Sequence, residues 1–427
     1  MVTKKKIFSN ATLRQLVSRL INLRRHAVTD DSHEALKIIK EYINIKTIEI
    51  KSGSKCWDWE IPPKWSVKKA KILYKGKKIF SDSEHIMAIQ PYCMPFKGKV
   101  DLNELLKHII FNKKKPHAYA YNCKLAYRYP FEKDWLLSMP YKKVKKLQEG
   151  TYDVKIETSF NEGTMKIAEY TIKGETKNTI ILLSDLCHPG QADDGIVGIA
   201  MWIKILKKLK EEKKLRYTYK FFTPTETIGS IAWLWKRKSI IKNIKAGIFL
   251  ESIGNKKPLF CKLSHKKNHE IDELVKYIFN DKKKIYDFKE GVMNDELIFA
   301  DTDFDIPMVS FQRFPYPEYH TSDDNLKCIS NKSLDETYDK VLKLIKSIEA
   351  NYTPVRVQKG PIYLSKHGLY HEIAASRDQY WTNWNLMNLL GQNKTILEIS
   401  KELNIDFWEL YEILEKYKKA GVIKIKS

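Results

Sequence analysis

Apolar positions recur at helical spacing through residues 11–44, in "LRQLVSRLINL" and "EALKIIKEYI", with polar residues between them, so this stretch reads as helical. From 46 to 150 the pattern breaks up. "CWDWEIPPKWSVKKAKILYKGKKIF" mixes a proline pair, tryptophans and short alternating runs, which predicts a small β-rich module with turns. Between about 151 and 350 a third regime takes over. The apolar run "TIILLS" leads into "IVGIAMWIKILKKLKEEKK", and "LRYTYKFFT" leads into "IGSIAWLWKRKSIIKNI". "KAGIFLE" and "IPMVSFQ" are two further strands, the latter followed after a loop by "SLDETYDKVLKLIKSIEA". Short, continuously apolar strands alternating with amphipathic helices predict an α/β sheet with helices on both faces.

After a connector rich in proline and glycine, "NYTPVRVQKGPIYLSKHGLY", the chain returns to helical spacing. "TNWNLMNLLGQNKTILEISKELNIDFWELYEILEKYKKAGVIKIKS" predicts three helical stretches and a short final strand, the pattern of a winged helix. The domain reading is therefore 1–50 with 151–350 as one α/β domain, 51–150 as an inserted small β-rich domain, and 351–427 as a winged-helix domain.

Composition changes this picture little. The chain has 427 residues, too many for one compact domain, and 43% hydrophobic residues, enough for sizeable cores. Net charge is +24, which raises the question of a polyanionic partner. The lysines, however, are spread along the whole chain. The candidate recognition helix also begins "DFWELYEILE", with Asp406, Glu409, Glu412 and Glu415 where phosphate contact needs cations. A DNA-binding regulator is thus the weaker alternative, and nucleic acid is not an expected partner. The six cysteines form no CxxC pair, which argues against a zinc ribbon or a redox motif. Arg14 and Arg19 interrupt the N-terminal apolar stretch, against a signal peptide, and no run approaches the ~18 apolar residues that read as a membrane span. A cytoplasmic protein is expected, with homo-oligomerisation left open.

The candidate chemistry sits where the predicted strands end, the edge at which open α/β sheets collect ligands. "TIILLS" is followed by His188 and Asp194, "KFFT" by Glu226, "KAGIF" by Glu251, and "IPMVSFQ" by a loop carrying His320 and Asp324. Singly, each has an ordinary reading as a cap, a dipole partner or an edge residue. Jointly, imidazoles and carboxylates at four strand ends suit a catalytic zinc, with a further carboxylate as general base.

"CHPGQADDG", "TETIGS", "LESIG", "NDELIF" and "EYHTSDDN", in that order, resemble the zinc-dependent exopeptidases of the aminopeptidase clan. More closely, the chain resembles a bacterial aminopeptidase-like family often associated with polysaccharide-biosynthesis genes. "DWEIPPKWSV", "DWLLSMPY", "EGTYDVKIETSF" and "SKHGLY" match that family's inserted domain and its connector to a winged helix. The resemblance implies a mixed sheet with a zinc exopeptidase-like core and a hydrolase of amide bonds. Its substrate would be a small peptide or an aminoacyl or amino-sugar amide. It also implies that His188, Asp194, Glu251 and His320 are metal ligands and Glu226 the general base. Asp324 would sit behind His320, and Asp295 near the substrate. Three positions depart from two-zinc relatives: Thr227 replaces a ligand glutamate, Gly195 follows the bridging aspartate, and Gly190 stands where an aspartate orients the first histidine. One zinc is therefore expected rather than two, and an inactive relative of these enzymes is a second alternative.

Overall fold

The computed structural model describes residues 8–369 and 384–426. Its contacts divide the chain into two units, Met1–Lys340 and Val341–Ser427. The first is built on an eight-stranded mixed sheet. From one edge to the other its strands are Lys46–Lys51, Thr164–Ile172, Thr218–Thr223, Thr179–Leu183, Ile244–Leu250, Met308–Gln312, Phe260–Lys262 and Ile285–Tyr286. The middle four, from Thr218–Thr223 to Met308–Gln312, run parallel, and antiparallel pairings flank them. These four are the strands expected from the apolar runs. Thr164–Ile172, Phe260–Lys262, Ile285–Tyr286 and the helix Glu270–Phe279 lie outside those expectations.

Two adjacent phenylalanines show why the sheet is covered on both sides. Side chains alternate across a strand. Phe221 meets Trp202 of the helix Ile196–Leu209 at 5.8 Å between ring centroids, and Phe222 stacks at 4.1 Å on Trp233 of the helix Ile228–Lys236. An apolar run on the central strand Thr179–Leu183, every residue of which is buried, is the sequence trace of this double burial. The helix Ile196–Leu209 starts hard against the sheet. A Cβ on Gly198 would lie 2.1 Å from Ser184 Oγ and 2.5 Å from the Leu250 carbonyl oxygen. The helix Asn10–Leu20, capped by Ser9, packs on its outer side.

A second, four-stranded sheet lies within the same unit, in the order Lys77–Ser81, Lys64–Tyr74, Thr151–Asn161, Phe96–Asp101. Its core gathers Trp65, Phe80, Tyr92, Trp135 and Tyr152. The strand Thr151–Asn161, counted with the large domain in the sequence reading, pairs with Lys64–Tyr74 and Phe96–Asp101 and so belongs to this smaller sheet. The chain then enters the large sheet through Thr164–Ile172, which pairs with Lys46–Lys51. An alternating strand reads the same in either sheet, so its partners are not encoded locally.

In the second unit, Ile396–Leu403 and Phe407–Lys419 are helices, and Ile423–Ile425 pairs antiparallel with Pro354–Arg356 from the connector. Residues 384–389 are also helical, but the start of the first helix expected here lies outside the described residues. Acids that weighed against DNA contact have structural partners. Asp406 caps its helix through the amides of Trp408 and Glu409, and Glu415 accepts from the Tyr352 hydroxyl. Among the described residues, no helix is long and apolar enough to cross a membrane.

The seating of the helix Ile196–Leu209 generates a stability prediction. Gly198→Ala should destabilise the protein by about 1–3 kcal/mol, the cost of overpacking a tight contact. Urea unfolding would read this as a lower midpoint at unchanged slope. An unchanged midpoint would mean that the helix is not held at the distance described.

Candidate active site

The loop between the strand Thr179–Leu183 and the helix Ile196–Leu209 is polar and yet buried along its whole length. Buried backbone needs partners, and distant residues supply them. Arg25, fully buried, donates to the carbonyls of Cys187 at 2.5 Å, His188 at 2.8 Å and Gln191 at 3.3 Å. Asp324 accepts from the amides of Asp193 at 2.8 Å and Asp194 at 3.0 Å, and its own carbonyl accepts from Ala192. Ser184 Oγ donates to the Gly195 carbonyl at 2.7 Å, and Gly195, at φ +99°, turns the chain into the helix.

This bracing separates the two adjacent aspartates. Asp193 points away from the site and is consumed by the amides of Gly254 and Asn255 and by Asn255 Nδ2, at 2.6 to 3.1 Å. Asp194 points into the site. Its Oδ1 lies 3.9 Å from His188 Nδ1 and its Oδ2 lies 3.3 Å from His320 Nε2. His188 Nε2 lies 3.5 Å from a Glu226 carboxylate oxygen. Glu251 sits against Asp194 and accepts from Asn294 Nδ2 at 2.8 Å. The residues expected at four strand ends therefore converge in space. His188, Asp194 and His320 are near enough to share one ion, and Cys187, His188 and Glu226 form an overlapping group.

Each strand end pays for this convergence in backbone strain. His188, Thr227, Ser252 and His320 all have φ between +49° and +63°, the left-handed region that non-glycine residues avoid. Such residues cost on the order of 1–3 kcal/mol each and cluster where surrounding structure holds a site in shape. At Thr227 the holder is Asp295, which accepts from the Thr227 amide at 2.5 Å and from the Ser230 hydroxyl. Asp295 is completely buried beneath the Glu226 turn, where it holds the Thr227 backbone. Asp324 accepts from the Asp193 and Asp194 amides, the Tyr316 hydroxyl and the Cys328 thiol, so it braces the loop that carries Asp194.

Burial dominates the electrostatics. It pushes Asp194 and Glu251 well above the usual carboxylate range; Asp194 and Glu296 raise Glu251 further, while Asp194 is lowered by its hydrogen bond with Glu251 and raised by Asp324, Glu226 and Asp193. Burial lifts Glu226 to about 8 and lowers His320 to about 4, and it pushes His188 down as well. The imidazoles are therefore neutral, the form in which a ring nitrogen can bind metal. Asp194 Oδ2 and His320 Nε2 are both buried and have no hydrogen-bond partner among the described residues. A cation between carboxylate and imidazole would satisfy both atoms and offset the crowded acids, so the residues present fit zinc.

Several participants have no sequence signal of their own. Cys187 Sγ lies 2.8 Å from His188 Nδ1 and so can orient the ring in place of the aspartate missing at Gly190. The inserted region reaches the site through Tyr121, whose ring lies 4.8 Å from that of His188 and 5.2 Å from that of His320. Tyr121 donates its amide to the His320 carbonyl, which ties the two segments together. Tyr127 is within hydrogen-bonding reach of Glu226. The dense tyrosines of "AYAYNCKLAYRY" are the one visible hint, and they do not say which surface they cover.

Similar proteins share this architecture. A Clostridium acetobutylicum protein, named for polysaccharide biosynthesis and an aminopeptidase-like domain, is 27% identical over 96% of this chain and 95% of its own length. The crystal structure of a C. acetobutylicum chain assigned as a peptidase superposes with a TM-score of 0.83 at 25% identity, covering 97% of this chain and 96% of that one. A zinc aminopeptidase from Bacillus subtilis matches at the level of fold, with a TM-score of 0.56 and 13% identity over 80% of this chain and 95% of that one. Residues 14–351 match the family described as a domain of unknown function, DUF4910, and the chain belongs to that family.

Proposed function

We propose that this chain is a zinc-dependent hydrolase of amide bonds, of aminopeptidase type, acting on a small peptide or on an aminoacyl or amino-sugar amide. The observation that carries this reading is the pair of orphaned buried atoms, Asp194 Oδ2 and His320 Nε2, 3.3 Å apart with His188 beside the same carboxylate. The fold likeness to a zinc aminopeptidase and the name of the Clostridium relative support it. The six cysteines are all free, which fits a reducing, cytoplasmic setting.

His188, Asp194 and His320 would hold the metal, with Glu251 as the adjoining carboxylate. When bound, zinc supplies a Lewis acid for the amide carbonyl and makes water more acidic. Thr227 offers no replacement for a glutamate ligand: its backbone is committed to Asp295 and to starting the helix Ile228–Lys236. One zinc is the expected complement. Glu226, at the rim of the site and 3.5 Å from His188, takes a proton from water and returns it to the departing nitrogen. Its raised proton affinity suits a group that must accept and release a proton near neutral pH. Tyr121 walls the histidines from solvent, and Cys187 keeps the His188 ring from turning.

Purified protein should carry close to one equivalent of zinc by elemental analysis, and a chelator should lower its melting temperature by removing the mass-action stabilisation of the bound state. His320→Ala should lose the metal. Cys187→Val should keep the fold but weaken zinc binding by about 10–100-fold, the range for removing the partner that orients a ligand histidine. Protein that holds no zinc and shows no thermal response to it would refute the metal site.

Glu226→Gln separates base from ligand. Zinc content should stay normal while hydrolysis of aminoacyl amides falls by about 10²–10⁴-fold. Release of zinc by this variant would make Glu226 a ligand instead. Zinc-loaded parent protein that hydrolyses nothing across peptides, aminoacyl amides and amino-sugar amides would favour the inactive-relative reading.

A further inference from the structure

A cavity opens beside Glu226, between the inserted region and the large sheet. Its mouth is formed by the exposed Trp59, Glu60 and Tyr127, and its floor by the buried Tyr92, Tyr121 and Cys187. Tyr129 and Ala126 form one side, and Glu226 closes the end nearest the candidate metal ligands. The cavity therefore joins the site where the proposed chemistry occurs, but most of its wall comes from a part of the chain that supplies no ligand.

Three properties of the lining limit what fits. The first is size. The cavity measures about 60 Å³. An engineered cavity of about 150 Å³ holds benzene, so this one has room for a methyl to isopropyl group and not for an aromatic ring. The second is surface. Four tyrosines and a tryptophan, with Ala27, Pro62, Ala126 and Ile228, line it, which favours apolar atoms. The third is charge. In a chain with 76 lysines and arginines, none is among the described residues that line the cavity, whereas Glu60 and Glu226 both are. His26, which also lines it, is held neutral, pushed down to about 3 by burial and by Arg25 and Arg24. An anionic group would enter without a lysine or arginine as counter-ion, an arrangement that costs heavily in a partly dry pocket.

Resting on the hydrolase reading above, we infer that this cavity is the specificity pocket for the residue flanking the scissile amide. It admits a small uncharged side chain, of alanine to valine size, and rejects aromatic and acidic ones. The inserted region thus selects substrate as well as walling the site.

The test uses zinc-loaded full-length protein and the α-hydroxamates of alanine, valine, phenylalanine and glutamic acid, with binding measured by calorimetry so that turnover is not needed. The alanine and valine compounds should bind at least about tenfold tighter than the other two, since a single methylene in a hydrophobic pocket is already worth about 10–200-fold. Ala126→Leu fills the cavity and should weaken the valine compound more than the alanine one. Tyr129→Ala enlarges it and should admit the phenylalanine compound; melting temperature and zinc content check that this variant is folded. Equal or tighter binding of the phenylalanine or glutamate compound by the parent protein overturns the inference. So does an unchanged order in both variants, or no hydroxamate binding by protein that holds zinc. If the hydroxamates rank as expected but the corresponding amides are not hydrolysed, the pocket stands and the hydrolase reading falls.

Discussion

A buried polar loop governs this molecule. Residues 184–195 carry His188 and Asp194 into the interior, where water cannot satisfy their backbone. Arg25, Asp324 and Ser184 do so instead, from the N-terminal segment, the loop after Met308–Gln312 and the end of the preceding strand. With those partners in place, the left-handed turn at His188 is tolerable and the two aspartates must face opposite ways. Without them the loop would have to move outward to water, and the four strand ends would no longer share a centre.

The same constraint explains the density of acids around the site. Asp185, Asp194, Glu251 and Asp295 are all buried, and burial raises every one of them. Asp295 is offset by donors at Thr227 and Ser230. Asp194 and Glu251 lean on each other and on neutral histidines. Buried carboxylates in that state hold protons or a cation. The chain's overall positive charge, +24, is carried by lysines and arginines spread along the whole sequence, and no lysine is among the residues gathered here. Net charge and local electrostatics point in opposite directions here, and the local field decides what binds.

The region that carries the smaller sheet is part of the site's architecture. Its sheet is entered and left next to strands of the large sheet, and its tyrosine-rich segment bridges to the loop carrying His320 through an isolated pair at Ala120 and Thr321. That contact ties the wall of the site to one of its candidate ligands. Tyr121 and Tyr129, which pack with the aromatic core around Trp65 and Tyr152, also line with Tyr127 the cavity beside Glu226.

Much of this was legible along the chain. The apolar runs "TIILL", "YKFFT", "AGIFL" and "MVSFQ" read as buried strands, and a residue that follows a parallel strand lies at the edge where ligands gather, whatever the rest of the chain does. Candidate site residues could therefore be picked out from local order, and the resemblance then implied His188, Asp194, Glu251 and His320 as ligands and Glu226 as the base. What each supporting residue does was not legible. Asp295 and Asp324 carry the expected chemistry but spend it on backbone amides, and Cys187 reached His188 unannounced. Nor could the pattern show that Thr151–Asn161 belongs to the smaller sheet or that Arg25 closes over residues more than a hundred positions away. Periodicity is set by whether a face is buried, which a residue's neighbours in sequence record. A hydrogen-bond partner is set by where the chain returns in space, and only the tertiary fold decides that.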